Sequence, residues 1–200
     1  MHDLTDLPRA NRNPDELDRR RAALWQPHMR PLASYVANLR NRYPGVEFPD
    51  FDPLGGGVTA EILMLFEKPG PKTSLEGGGS GFISVNNDDA TAEATWHFLR
   101  RAEIPISQLA SWNVIPGWDG AIRHRAKDVS EGIAHLPELF SLLAKLETVI
   151  LVGRKAAQAE QVVRDGGYRV ILSDHPSPKV RAIYPDRWAR IPNVWAQALT

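Results

Sequence analysis

Four short apolar runs, each closed by turn-forming residues, constrain this chain more than any other feature. They are Glu61–Phe66, Ala110–Ile115, Thr148–Val152 and Tyr168–Leu172, followed respectively by Pro69-Gly70, Pro116-Gly117, Gly153 and Ser173-Asp174-His175-Pro176. An unbroken apolar run of this length suits a strand covered on both faces, whereas a half-exposed strand would alternate. The intervening segments read as helices: about Thr91–Ala102, Val129–Leu146 with Pro137 disturbing it, and Lys155–Arg164 closed by Gly166-Gly167. Upstream, Pro14 to about Arg42 reads as helix, broken or kinked at Pro27 and Pro31. Pro185–Leu199 is expected to be helical only in part, because Pro192 interrupts it. Strands alternating with helices predict an α/β fold, a three-layer αβα arrangement around a central four-stranded, mainly parallel sheet. The chain is expected to be one domain over 1–200, with residues 1–47 a helical extension packed on the core.

Composition narrows the function classes. The chain has 200 residues and no cysteine, which excludes disulfides, thiol nucleophiles and cysteine-ligated iron–sulfur clusters. The longest apolar stretches, Ile62–Phe66 and Val149–Val152, are too short to span a bilayer. The opening residues Met1-His2-Asp3-Leu4-Thr5-Asp6 lack the basic and then apolar regions of a signal peptide, so a cytoplasmic protein is expected. The net charge of zero does not favour a strongly electrostatic binder, although residues 150–200 carry eight Lys/Arg against four Asp/Glu. His97, His124 and His135 show no zinc-like spacing with acidic residues, so neither a metal nor a cofactor is expected.

In a parallel α/β sheet, ligands bind beyond the carboxyl ends of the strands. That rule nominates the loops 67–82, 113–119, 153–155 and 173–181. The first is rich in Pro and Gly but lacks the order of a phosphate-binding G-x-x-x-x-G-K-[ST] loop. The last, Asp174-His175-Pro176-Ser177-Pro178, places a histidine at a strand end in a turn stiffened by two prolines, and preorganisation is what a catalytic donor needs. Taken in order, Leu65-Phe66-Glu67-Lys68-Pro69-Gly70-Pro71, Gly81-Phe82-Ile83-Ser84-Val85, Ser111-Trp112-Asn113-Val114 and His175-Pro176-Ser177-Pro178 form a set that resembles the uracil-DNA glycosylase superfamily. Leu151-Val152-Gly153-Arg154-Lys155-Ala156 is similar to the Gly-Ser phosphate loop of that family, with Arg154 where serine is common. The resemblance spans roughly residues 48–190.

The resemblance implies a uracil-DNA glycosylase-like fold and hydrolysis of the N-glycosidic bond of deoxyuridine flipped out of DNA, as in base excision repair. It implies that Phe82 is the ring on which uracil stacks and that the Asn113 amide reads the polar edge of the base. It further implies that His175 stabilises the departing base, while Lys68, Pro69, Gly70 and Asn87 complete the base pocket. Arg154, Lys155, Ser177, Lys179, Val180 and Arg181 are implied to hold DNA, the 179–181 segment as a loop entering the minor groove with Val180 as a small wedge. The position where many relatives carry a water-positioning Asp or Asn is Lys68 here, which cannot accept a proton while charged. Asp89 is the preferred replacement, with Asp88 and Glu67 behind it; either aspartate would also serve as a helix cap before Thr91. A monomer acting on uracil-containing DNA is expected. The alternatives are a catalytically weak relative that binds uracil or abasic DNA, and an enzyme acting on a nucleoside or nucleotide in the same pocket.

Overall fold

The computed structural model describes residues 4–200. Met1, His2 and Asp3, which open the segment read above as lacking a leader, lie outside the described residues. In chain order the elements are α1 (Pro14–Ala23), α2 (Arg30–Arg42), β1 (Asp50–Phe51), β2 (Ile62–Phe66), β3 (Phe82–Ile83), α3 (Ala90–Arg101) and β4 (Leu109–Asn113). There follow α4 (Ala126–Ala134), α5 (Leu136–Leu142), β5 (Thr148–Val152), α6 (Glu160–Asp165), β6 (Arg169–Ser173), α7 (Pro178–Ile183) and α8 (Pro185–Trp195). The four apolar runs become one all-parallel sheet in the order β4-β2-β5-β6. Among the described residues, no helix is long and apolar enough to cross a membrane.

The pleat sorts the strands' side chains into two cores. Leu63, Leu65, Ala110, Trp112, Val149 and Leu151 share one cluster with Leu32, Val36 and Leu39 of α2, Leu139 of α5 and Val163 of α6. The neighbours of those strand residues, Ile62, Met64, Ile150, Val152 and Ile171, pack instead with Phe98 and Leu99 of α3 and Ile191 and Trp195 of α8. Period-2 alternation across a sheet buried on both sides therefore produces the three layers. Phe66 pairs in register with Asn113, and Val152 with Ser173, so the carboxyl-terminal row of the sheet presents these residues together.

Two expectations are corrected, and one pair of strands was not foreseen. α8 runs through Pro192 without a break, because Ile191, Pro192 and Trp195 are all buried. A proline inside a helix costs about 3 kcal/mol, and burying side chains of this size returns roughly 1.5–3 kcal/mol each. A two-stranded parallel pair of β1 and β3 has no signature in the sequence, since two residues per strand carry no periodicity. The segment after His175 is not an extended loop: Ser177 caps α7 by accepting from the Val180 N–H at 3.4 Å, and Pro178 occupies its first turn.

One close approach locks the layer beside β4. Gly132 of α4 lies so near the chain leaving β4 that a Cβ there would sit 1.7 Å from the Val114 carbonyl oxygen. Gly132→Ala is expected to cost about 3 kcal/mol and lower the melting temperature by roughly 6–12 °C. An unchanged thermal melt would show that α4 is free to move away.

Candidate active site

A cavity of about 320 Å³ opens beyond the carboxyl ends of β2 and β4 on the α3 side of the sheet. The same sheet face and register put Phe66, Ser111 and Asn113 in its wall, and the turn after β6 adds His175. Lys68 to Thr73 supply another wall, and Ile83 to Val85, Asn87, Asp89 and the first turns of α3 (Thr91, Ala92, Thr95) complete it. The Pro/Gly-rich loop is closed on itself: Ser80 and Gly81 donate backbone N–H groups to the Lys72 and Thr73 carbonyls, at 3.0 and 3.1 Å. It is a built wall rather than a free tether.

Asn113 is buried at the end of β4, and its Oδ1 has no hydrogen-bond partner. A buried carbonyl-type oxygen without a donor costs about 1–3 kcal/mol, so it is suited to a ligand that brings an N–H. His175 meets Phe66 edge-on, with ring centroids 6.1 Å apart and planes at 80°. Behind the histidine, Gly153 adopts φ +87°, and a Cβ built on it would touch the His175 Cβ and Cδ2 at 3.4 Å. Burial holds the imidazole below its ordinary 6.5, partly opposed by the Glu67 carboxylate. The ring is therefore mainly neutral near pH 7, with one N–H to donate.

The acidic candidates separate clearly. Asp89 lines the cavity and also caps α3, its Oδ1 accepting from Thr91 N–H at 2.8 Å and Ala92 N–H at 2.9 Å. Its Oδ2 makes no hydrogen bond among the described residues. Asp88 does not line the cavity; it sits 2.7 Å from both Arg9 and Arg12. The guanidiniums of Arg12 and Arg9 hold its carboxyl below the usual range. Glu67 also lies outside the lining, with Oε1 3.3 Å from the buried His124 Nδ1 and its backbone carbonyl accepting from Ile115 N–H at 2.9 Å. Lys68 lines the cavity, but its ammonium is committed elsewhere: it donates to Asp119 Oδ1 at 2.5 Å and the Ala121 carbonyl at 2.8 Å, 5.5 Å above the Trp118 ring.

Asn87 is held from behind. Its Nδ2 donates to the Phe82 carbonyl and its Oδ1 accepts from Asn11 Nδ2, each at 2.8 Å. The N-terminal segment thus braces the cavity wall. Phe82 itself is fully buried and is not among the lining residues; the aromatic ring in the wall is Phe66. Of the expected site residues, Lys68, Pro69, Gly70, Asn87, Asp89, Asn113 and His175 share the cavity. Glu67, Asp88 and Phe82 do not, and neither do Arg154, Lys155, Ser177, Lys179, Val180 and Arg181, which follow β5 and β6 at the same edge of the sheet. Residues missed by the sequence reading carried usable signals. Ser111 is one pleat period before Asn113, Phe66 closes an apolar run beside a Pro-Gly loop, and Thr91 and Thr95 are one helical turn apart. Among the described residues, no group of three or more His, Asp or Glu side chains is placed to hold a metal ion.

No family model matches the chain, and no curated protein matches its sequence. Among solved structures, it is similar to the solution NMR structure of a Methanosarcina acetivorans protein provisionally described as a uracil DNA glycosylase. The match has 18% sequence identity and a TM-score of 0.43, covering 71% of this chain and 92% of the other. A likeness of that degree carries no functional inference, which has to come from the cavity.

Proposed function

We propose that the chain is a DNA glycosylase that hydrolyses the bond between uracil and deoxyribose in a flipped-out nucleotide. The observation that carries this reading is the unpartnered Asn113 Oδ1, buried in a cavity that His175 also lines. An amide can accept from uracil N3–H and donate to O4, a pairing that cytosine reverses. A buried polar group left unmatched is how a site rejects the wrong base. His175 donates to uracil O2. As the C1′–N1 bond breaks, the electron pair stays with the base, so this donor is strengthened in the transition state and raises the chemical rate. Phe66 rather than Phe82 supplies the aromatic wall. Water held by Asp89 Oδ2 bonds to C1′ on the sugar, loses a proton to solvent through that carboxylate, and leaves an abasic site.

A neutral chain also needs a way to hold a polyanion. Among the described residues Lys72, Arg123, Arg154, Lys155, Lys179 and Arg181 form no ion pair, and each lies in a segment that follows the carboxyl end of a strand of the main sheet. By contrast, seven of the eight arginines of the N-terminal region, Arg9, Arg12, Arg19, Arg20, Arg21, Arg40 and Arg42, are paired, Arg30 being the exception among the described residues. Cations without carboxylates concentrated at one edge support phosphate contacts there despite zero net charge.

The test is release of uracil from oligonucleotides bearing one uracil opposite A, opposite G or unpaired, read as alkali-dependent strand cleavage. His175→Ala is expected to slow release about 10²–10³-fold, and Asp89→Asn to slow it more than Glu67→Gln does. Wild-type protein that leaves every strand intact rejects the reading. One observation favours a relative that binds without cleaving: at the position where the resemblance calls for a water-positioning side chain, Lys68 is tied to Asp119. Tight binding without release in the same assay would identify that alternative.

A further inference from the structure

We propose that the elbow between α7 and α8 is a platform for an unpaired DNA strand, with Tyr184 as the ring on which a base beside the target nucleotide stacks. This rests on the reading of the cavity as a DNA-acting site. Tyr184 is 50% exposed and Ile183 beside it 54%, so the elbow offers a ring and an aliphatic side chain to solvent. The Tyr184 ring is not a loose surface side chain. The Arg187 guanidinium lies 4.9 Å from its centroid, and Arg187 Nε donates to Asp174 Oδ2 at 3.0 Å. Asp174 directly precedes His175. The neighbouring ring is tied to the same turn: Trp188 Nε1 donates to the Pro176 carbonyl at 3.2 Å, with Arg181 4.9 Å over its face.

The turn that carries His175 therefore also holds the elbow ring Tyr184, half open to solvent, and the α8 ring Trp188. A ring fixed before binding loses little freedom when a base stacks on it. Lys179 and Arg181 of α7 and Arg190 of α8 flank the elbow without forming ion pairs among the described residues and outnumber the one acidic residue there that is likewise without an ion pair, Asp186, a balance that complements a phosphate chain. Aromatic rings interleaved with such cations are the recognition pattern for single strands, whose base faces are accessible. A duplex hides those faces. The helical fold of 178–183, with Val180 half-buried, also argues against a projecting wedge.

Fluorescence anisotropy of a labelled oligonucleotide containing one uracil, free or annealed to its complement, tests the platform. Tyr184→Ala is expected to weaken single-strand binding about tenfold, from the loss of one stacked base. Tyr184→Phe, which keeps the ring, stays within about twofold, and the duplex form changes little. Tyr184→Gln, bulky but without a π face, runs beside Tyr184→Ala so that a folding defect in one variant leaves the comparison intact. Unchanged single-strand affinity in both ring-less variants overturns the platform, as does an equal loss for both DNA forms or a wild type that binds no single strand. Uracil release is read separately on the same samples. A wild type that binds but never releases uracil overturns the catalytic reading, while the binding comparison still decides the platform.

Discussion

Replacing Asn113 by Asp is expected to reduce uracil release at least ~10³-fold while leaving the protein folded. The two halves of this expectation have one physical origin. Neither amide atom of Asn113 makes a hydrogen bond among the described residues, so exchanging Nδ2 for oxygen breaks no internal hydrogen bond, and the cavity it lines leaves room for water beside the new carboxyl. What changes is the cavity wall. An amide offers an acceptor on one side and a donor on the other; an ionised carboxylate offers two acceptors and no donor. Uracil O4 would then face a negative oxygen, in a space where neither group can turn to water. A buried polar mismatch of this kind discriminates far more strongly than a missing methylene. Single-turnover release from a uracil-bearing strand measures the effect, and circular dichroism checks the fold. Release within tenfold of wild type, on a folded variant, would remove Asn113 from base recognition and with it the chief support for the proposed reaction.

The second large effect is on stability. Arg20→Met is expected to destabilise the protein by about 3–5 kcal/mol, because it removes the cation that two largely buried carboxylates, Glu16 and Asp52, share, and of the two only Glu16 keeps another, Arg19. Arg20 is 0% exposed and Glu16 1% exposed. The guanidinium donates to Glu16 Oε1 at 3.0 Å, to the Thr5 carbonyl at 2.8 Å and to Asn86 Oδ1 at 3.2 Å, and also pairs with Asp52. One side chain therefore ties α1 to the segment leading into β2 and to the 84–87 turn beside the cavity. The loss corresponds to a melting temperature lower by roughly 6–20 °C for a chain of this size. The variant Glu16→Gln/Arg20→Met, which removes both charges, should recover part of it.

Acid should act on the same network. Burial raises the Glu16 carboxyl, but hydrogen bonds from Arg19, Thr5 N–H and Arg20 outweigh it and hold the group below its ordinary 4.5. A carboxyl with a depressed value in the fold contributes stability that is complete above that ordinary value and is lost as pH falls towards the folded one. Wild type should therefore lose stability below about pH 4.5 more steeply than the doubly uncharged variant. Parallel pH–stability curves would count against this assignment.

Much of the fold was legible because its sheet is buried on both faces. Each main strand had to be an unbroken apolar run, and each run stood out between helices and turn residues. Asn113 and His175 were legible for a related reason: polar side chains at the carboxyl ends of such runs have few places to go except the crevice above the sheet. The 177–181 segment was misread as a loop because its capping serine sits inside a motif whose prolines suggested only stiffness. The β1–β3 pair was invisible because two-residue strands have no period.

Two adjacent aspartates and two phenylalanines show what local chemistry leaves undecided. Asp88 and Asp89 are equivalent as sequence, yet one faces Arg9 and Arg12 and the other faces the cavity. Phe82 and Phe66 are both strand phenylalanines beside Gly-rich loops, but only the register of β2 against β4 sets Phe66 beside Asn113. The amino-acid order alone determined the layers, the strand direction and the edge of the sheet where the cavity lies, since these follow from burial periodicity and turn residues close in the chain. Which ring and which carboxylate face the cavity was decided only by tertiary structure, through contacts such as Asn11 with Asn87 and Arg20 with Asn86 that join residues dozens of positions apart.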